Sequence, residues 1–144
     1  MARKPVSRAC WLGLLVALLV LLIAAMLLPG SAVAWFYSDS YALGRVLIWL
    51  EQSWFPFSRW FHVLMFAGLT VSAWGLFPAL RGWQVAGILL GVGVAGELVQ
   101  IPVPGRTASV SDLMDDVLGI AIGLAVAAVV EYCFRRYQQR KKIS

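Results

Sequence analysis

Charge is scarce in this chain of 144 residues, of which only 13% are Asp, Glu, Lys or Arg. A soluble domain usually has about twice that fraction. Hydrophobic residues, counted with Ala, Tyr and Cys, make up 61% of the chain. This composition argues against a single soluble domain, and the length excludes a large soluble catalytic domain. The seven Trp and seven Phe residues exclude a disordered chain.

Cysteine and histidine are also rare. Cys10 and Cys133 lie far apart, without CxxC or metal-ligand spacing, so no disulfide framework or zinc site is expected. The net charge of +5 does not indicate nucleic-acid binding, because no basic stripe with interleaved aromatic residues occurs. Most of the basic residues instead lie in two clusters beside apolar runs, as at the cytoplasmic ends of membrane spans: Arg3, Lys4 and Arg8, then Arg135, Arg136, Arg140, Lys141 and Lys142.

Four apolar segments are long enough to cross a hydrocarbon core of ~30 Å. They cover residues 11–28, 59–77, 83–101 and 113–134. Lipid offers the backbone no hydrogen-bond partners and four strands cannot close a barrel, so we predict an all-α membrane protein with four transmembrane helices. Nine Lys and Arg residues fall on the side of the two termini and three, Arg45, Arg59 and Arg106, on the other. This asymmetry predicts that the basic tails, residues 1–10 and 135–144, are cytoplasmic.

The first segment has a second interpretation, because Ala32-Val33-Ala34 resembles the cleavage site of a signal peptide. Its apolar run from Trp11 to Leu28 is longer than the hydrophobic region of an ordinary signal peptide, which favours a retained helix. Either interpretation places the following residues on the outer side.

The segment 29–58 is the one long loop that the sequence predicts. Five apolar residues recur in it at helical spacing and predict an amphipathic helix in the outer interface: Leu43, Val46, Leu47, Leu50 and Trp54. Aromatic residues at the same face predict a belt that anchors the loop, or a platform for lipid headgroups: Trp35, Phe36, Tyr37, Trp49, Trp54, Phe55, Phe57 and Trp60.

Two pairs of glycines stand one helical turn apart. Gly119 and Gly123 lie in the fourth apolar segment, and Gly87 and Gly91 lie in the third. Glycine lets helix backbones approach closely in lipid, so both pairs predict helix packing within the chain, with homodimerisation as the alternative.

Polar residues converge at the predicted outer boundary. At 1.5 Å per residue, Glu97 lies roughly 7 Å below that boundary and His62 roughly 6 Å below it. Asp112, Asp115 and Asp116 occupy the start of the fourth helix, and Arg106 precedes it. Ionisable groups at such depths face a bundle interior and are paired, so we expect a pocket in which Glu97 and Arg106 form an ion pair. In the purely structural alternative, Ser109-Val-Ser-Asp112 is a capping box and His62 a packing residue.

The order of these residues resembles that of the VanZ-like family of small bacterial membrane proteins. The similar string covers residues 57–130 and consists of His62, Glu97-Leu-Val-Gln100, Gly105-Arg106-Thr-Ala-Ser109-Val-Ser-Asp112, Asp116, Gly119 and Gly123. The chain departs from the family at Asp116, where Asn is usual, and at Ser58-Arg59, where an Asp-Lys pair is common. The resemblance implies a bacterial cytoplasmic membrane, a cell-envelope context and a link to glycopeptide-type antibiotic tolerance, but no particular reaction.

We therefore expect an outer pocket that binds a lipid-linked or headgroup-like ligand. Its candidate residues are His62, Glu97, Gln100, Arg106, Ser109, Asp112 and Asp116. Arginine suits a phosphate, and carboxylates suit an ammonium group or a divalent cation, for which Glu97, Asp112 and Asp116 are candidate ligands.

Two alternatives stay open. One is a membrane enzyme that uses His62 with Glu97 or Asp112 as acid and base, and the other is a proton-coupled transporter that carries protons on Glu97. The sequence contains no nucleophile motif, phosphate loop or HExxH, so it does not favour the enzyme.

Overall fold

The computed structural model describes residues 7–36, 38, 42–52 and 57–143, and all regular secondary structure among them is helical. Six helices follow in order: α1 (Arg8–Leu27), α2 (Gly30–Phe36), α3 (Ala42–Gln52), α4 (Phe57–Leu76), α5 (Gly82–Gln100) and α6 (Val110–Ile143). The predicted all-α class is confirmed. Helix α2 was not predicted, and α6 begins three residues earlier and ends nine residues later than the segment 113–134.

Within the described ranges, three helices are long and apolar enough to cross a membrane, namely α1, α5 and α6. The 20-residue α4, which corresponds to the predicted second span, is not among them. Its sequence carries Arg59, His62, Thr70 and Ser72, which lower its mean hydropathy. Its position explains this composition, since α4 packs against α1, α5 and α6 and its neighbours cover much of its surface.

Proline marks two of the helix ends. Helix α1 starts after Ser7, whose Oγ accepts the backbone N–H of Cys10 at 3.3 Å, and it stops just before Pro29. Helix α5 stops just before Pro102. Proline has no N–H and its ring clashes with a preceding helical turn, so these positions end both helices at the same side of the bundle.

The core lies around α4. Phe66 and Leu69 of this helix are fully buried, and Leu22 of α1 and Val85 of α5 pack against them. Helices α4 and α6 run parallel, because residues 63 and 66 lie opposite Gly119 and residues 67 and 70 lie opposite Gly123.

Glycine is required where α6 meets α4. A Cβ at Gly119 would overlap the carbonyl oxygen of Val63, and a Cβ at Gly123 would lie 2.5 Å from Cβ of Thr70. The corresponding prediction for α5 is wrong: a Cβ at Gly87 or Gly91 would meet no described atom within 4 Å. Helix α5 instead approaches its neighbours at two other glycines that the spacing rule did not select, Gly93 and Gly96.

The α1–α2 connection and the α5–α6 link are joined to each other through their backbones. The N–H of Gly30 donates to the carbonyl of Pro104 at 2.9 Å, and a Cβ at Gly30 would lie 2.5 Å from the carbonyl oxygen of Gly105. Gly105 has φ +76°, a left-handed conformation that favours glycine. These two glycines therefore hold the α5–α6 link against the start of α2.

Helix α3 has the helical structure that the spacing from Leu43 to Leu50 predicted. Its Glu51 carboxylate accepts the backbone N–H of Ser58 at 3.0 Å and the hydroxyl of Ser58 at 2.5 Å, which ties the end of α3 to the first turn of α4. Trp35, Trp49 and Trp60 are exposed, as an aromatic belt requires. Several residues of the sequence predictions lie outside the described residues: Arg3, Lys4, Tyr37, Trp54 and Phe55.

Candidate functional site

A cavity of about 330 Å³ opens at the end of the bundle where α1 and α5 stop and α4 and α6 begin. This volume is at the lower end of the range for small-molecule sites. One part of its lining is apolar and consists of Leu22, Ala25, Met26, Leu28, Val33, Leu43, Leu47 and Phe61. The other part is polar and consists of Ser58, His62, Gln100, Arg106 and Asp112.

The cavity brings the predicted site residues together in two groups. His62, Gln100, Arg106 and Asp112 line it. The other three lie behind these residues: Asp116 contacts His62, Ser109 contacts Asp112, and Glu97 contacts Ser109. No described buried side-chain nitrogen or oxygen lacks a hydrogen-bond partner.

The imidazole of His62 is held by a carboxylate of α6. Its Nδ1 lies 2.8 Å from Oδ1 of Asp116, whose side chain is only 1% exposed. The two residues meet because His62 is one turn into α4 and α6 runs parallel to it. An imidazole that donates from Nδ1 to a carboxylate leaves Nε2 as an acceptor, and the ring borders the cavity. His62 can therefore accept a hydrogen bond or a proton from a ligand.

A second tie between α4 and α6 lies three residues earlier on α4 and one residue earlier on α6. Nε and Nη2 of Arg59 each donate to one oxygen of Asp115 at 3.0 Å, a bidentate ion pair. The sequence predicts Asp115 in the polar layer, but neither Arg59 nor Asp115 is among the predicted site residues. The sequence did contain an indication of this pair, since Arg59 lies at the start of one predicted span and Asp115 near the start of another on the same predicted side of the membrane.

Arg106 caps the end of α1, and this corrects a prediction. Its Nη2 donates to the carbonyl of Ala25 at 2.9 Å and its Nε to the carbonyl of Leu28 at 3.3 Å. No ion pair joins Arg106 to Glu97, although both lie in the described part of the chain. The carbonyls at the end of α1 lack partners in their own helix and carry partial negative charge, so they attract the guanidinium. The contact between Gly30 and Gly105 brings Arg106 to this helix end.

Glu97 takes part in a cap of α6. Its Oε2 accepts the backbone N–H of Ser109 at 2.5 Å, and the hydroxyl oxygen of Ser109 accepts the N–H of Asp112 at 3.3 Å. The predicted capping box needs Asp112 to bond back to Ser109, but Glu97 from α5 occupies that place. The carboxylate is buried at 7% exposure beside the positive end of α6, which stabilises its charge.

Helices α2 and α3 contribute to the wall of the cavity. Val33 of α2 and Leu43 and Leu47 of α3 are among its apolar lining residues. One side of the predicted amphipathic helix therefore faces the pocket. Val46 and Trp49 of the same helix are exposed.

The arrangement supports recognition of a polar group attached to an apolar one. Arg106 supplies a cation, His62 and Asp112 supply hydrogen-bond acceptors, and the apolar wall supplies a surface for hydrocarbon. Over the described residues, no group of three or more His, Cys, Asp or Glu side chains is placed to hold a metal ion.

Comparison with protein families gives a match over most of the chain. The family model described as VanZ/LLP1 matches residues 14–131, which is most of the chain. No curated protein and no solved structure matches.

Proposed function

Since the chain belongs to the VanZ/LLP1 family, we propose that it is a multi-pass protein of the bacterial cytoplasmic membrane whose outer pocket binds a lipid-linked or headgroup-like ligand. The observation that carries this proposal is the cavity itself, which has a polar lining and an apolar lining at one end of a bundle of membrane helices. A water-soluble ligand would not need the apolar wall, and a plain hydrocarbon would not need Arg106, His62 and Asp112.

In this proposal α4 is the fourth transmembrane helix. Its 20 residues span about 30 Å, which matches the hydrocarbon core. Its polar side chains are satisfied inside the bundle: Thr70 donates to the carbonyl of Phe66 at 2.7 Å, and Ser72 donates to that of Gly68 at 2.8 Å. Arg59 and His62 are paired with the carboxylates of α6. Pairing of this kind reduces the cost of polar groups in a span.

The cytoplasmic placement of both termini follows from the positive-inside rule. Helix α6 has 34 residues, about 14 more than a span needs, and the excess carries Arg135, Arg136 and Arg140. The cavity then faces the outer side, where headgroups of the outer leaflet and lipid-linked envelope precursors are found.

Native mass spectrometry of the purified full-length protein tests ligand binding. We expect the wild-type protein to retain a copurified lipid, and Arg106→Lys to retain much less because lysine lacks the forked guanidinium. Arg140→Lys, a matched change at an exposed residue far from the cavity, should retain the lipid as the wild type does. Equal retention by Arg106→Lys and the wild type, or no retained lipid in any of the three, would contradict the proposal.

Thiol labelling tests the topology. In a Cys10→Ser, Cys133→Ser background, Gln52→Cys at the end of α3 and Gln139→Cys near the end of α6 provide matched exposed positions. We expect an impermeant thiol reagent to label residue 52 but not residue 139 in intact cells, with the outer membrane opened where there is one. The reverse pattern would place the cavity on the cytoplasmic side.

The family resemblance extends the proposal to glycopeptide-type antibiotic tolerance. If the bound ligand is an envelope precursor, a strain that carries Arg106→Lys should lose tolerance in the same way as a deletion strain. Susceptibility to teicoplanin, compared between these strains and an Arg140→Lys control, measures this. Unchanged susceptibility in the deletion strain would remove this extension and leave the ligand-binding proposal to its own test.

A further inference from the structure

We infer, on the basis of the proposed ligand-binding function, that the pocket selects a zwitterionic amphiphile. Arg106 binds an anionic group such as a phosphate, and Asp112 and His62 bind a primary ammonium. The hydrocarbon lies against the apolar wall that α1 and α3 provide.

The charges around the cavity indicate a ligand with a positive group. The Arg59–Asp115 pair is neutral as a unit, because a guanidinium and a carboxylate carry opposite charges and two hydrogen bonds hold them together. Among the predicted site residues, with a neutral His62, three carboxylates remain, on Glu97, Asp112 and Asp116, against one guanidinium, on Arg106. The start of α6 offsets part of this negative charge. Carboxylates that lie close together repel one another unless a cation or a shared proton compensates them. A ligand with anionic groups alone would therefore meet an excess of like charge.

The presence of Arg106 in the lining indicates that the ligand also has an anionic group, bound by a different part of the chain from the positive one. Arg106 is held against the end of α1, whereas His62 and Asp112 belong to α4 and α6. Within the described residues, Arg106 uses its Nε and one Nη2 donor on backbone carbonyls, which leaves N–H donors of its fork for a ligand. The cation thus reaches the cavity from the α5–α6 link, and the acceptors reach it from α4 and α6.

The acceptors indicate that the positive group carries N–H donors. Nε2 of a neutral His62 that donates from Nδ1 to Asp116 is an acceptor, and so is the carboxylate of Asp112. A primary ammonium donates three hydrogen bonds, whereas a quaternary ammonium donates none. Sites for quaternary ammonium groups use several aromatic faces, and Phe61 is the single Phe, Tyr or Trp among the described residues that line this cavity.

A methylation series on the wild-type protein tests the inference without any variant. The probes are short-chain phosphatidylethanolamine, its monomethyl and dimethyl derivatives, and phosphatidylcholine, added to the full-length protein in nonionic detergent. We expect the affinity measured by calorimetry to fall along the series, by about tenfold or more in total, because each step removes a charged N–H donor. Phosphatidylglycerol, which lacks a positive group, should bind more weakly than phosphatidylethanolamine.

A variant then locates the recognition. Asp112→Asn should bring the affinities for phosphatidylethanolamine and phosphatidylcholine close together. Glu131→Gln removes the same charge at the other end of α6, where its partner is Arg135, and should leave the ratio as in the wild type. Thermal unfolding of both variants verifies that they fold. If Asp112→Asn does not fold, His62→Gln takes its place.

The possible outcomes separate this inference from the proposed function. Equal affinity for phosphatidylethanolamine and phosphatidylcholine, with loss of both in Arg106→Lys, would overturn the primary-ammonium assignment and leave the lipid pocket standing. Tighter binding of phosphatidylglycerol would do the same. Failure of every phospholipid to bind would overturn the inference, and the native mass spectrum would then decide the proposed function separately.

Discussion

At the cavity end of the bundle, where α4 and α6 begin, the helices are joined by charged and capping side chains, whereas farther along α4 and α6 they meet through glycines and apolar residues. The cavity end contains the Arg59–Asp115 and His62–Asp116 pairs and the caps made by Arg106 and Glu97. The middle contains Gly119 and Gly123 against α4, with fully buried Phe66 and Leu69 beside them.

This difference shows that two parts of the bundle are held together by different kinds of contact. In lipid, apolar helices have no hydrophobic drive toward one another, so close packing holds the middle of the bundle together. Polar contacts between helices are not needed for that purpose, yet they are concentrated around one cavity. Departures from the simplest stable solution are expected at functional sites, and here they coincide with the cavity.

The largest expected effect lies in the middle region. Gly119→Leu should destabilise the protein by about 3 kcal/mol or more, because its side chain would have to displace the backbone of α4. Ala121→Leu, at an exposed position of the same helix, and Gly91→Leu, which meets no described atom within 4 Å, should each change stability by less than about 1 kcal/mol. Thermal or denaturant unfolding in detergent measures this. Similar losses in all three variants would remove the contrast between packed and open glycines.

A smaller loss of stability is expected when a polar contact at the cavity end is removed. Asp116→Ala should cost about 2 kcal/mol, since it removes a buried hydrogen bond to an imidazole and leaves a gap beside Gly93. Ser111→Ala, at an exposed residue five positions earlier in α6, should cost much less. Unfolding curves of the two variants give the comparison. If Asp116→Ala were as stable as Ser111→Ala, the polar contacts at the cavity end would contribute little to stability, and packing alone would hold the bundle together.

The smallest expected effect is the coupling between Arg106 and Glu97. Arg106→Ala should cost about 1 to 2 kcal/mol through the lost cap of α1, and Glu97→Gln about 0.5 to 1 kcal/mol through the weakened cap of α6. Because the two side chains serve different helix ends, their effects in the double variant should add to within about 0.5 kcal/mol. A coupling energy of about 1 kcal/mol or more would instead indicate the ion pair that the sequence suggested.

Much of the architecture could be predicted from local patterns. Helices at 57–76 and 82–100 were expected at 59–77 and 83–101, and the helix at 42–52 was expected from the spacing of Leu43, Val46 and Leu47. The approach of α6 to α4 at Gly119 and Gly123 follows from their separation by one turn. The same rule failed for Gly87 and Gly91, because spacing within a helix does not show which of its faces a neighbour covers.

The candidate site could be predicted in part, because local patterns fix how far along its helix each residue lies. His62, Glu97, Arg106 and Asp112 were expected at one depth, because depth follows from position along a helix. The partners were not predicted correctly. Arg59 was not assigned to the site, and Arg106 was paired with Glu97 rather than with α1.

The sequence by itself determined the helices, their ends at proline, the shared depth of the polar residues and the small residues that permit close approach. Each of these depends on neighbours within a few turns, where the helical repeat fixes the geometry. The tertiary structure alone decided that His62 meets Asp116, that Glu97 caps α6, and that the Gly30–Gly105 contact carries Arg106 to the end of α1. These contacts join residues far apart in the chain, and they depend on how each helix is rotated about its axis and on where the connecting segments turn.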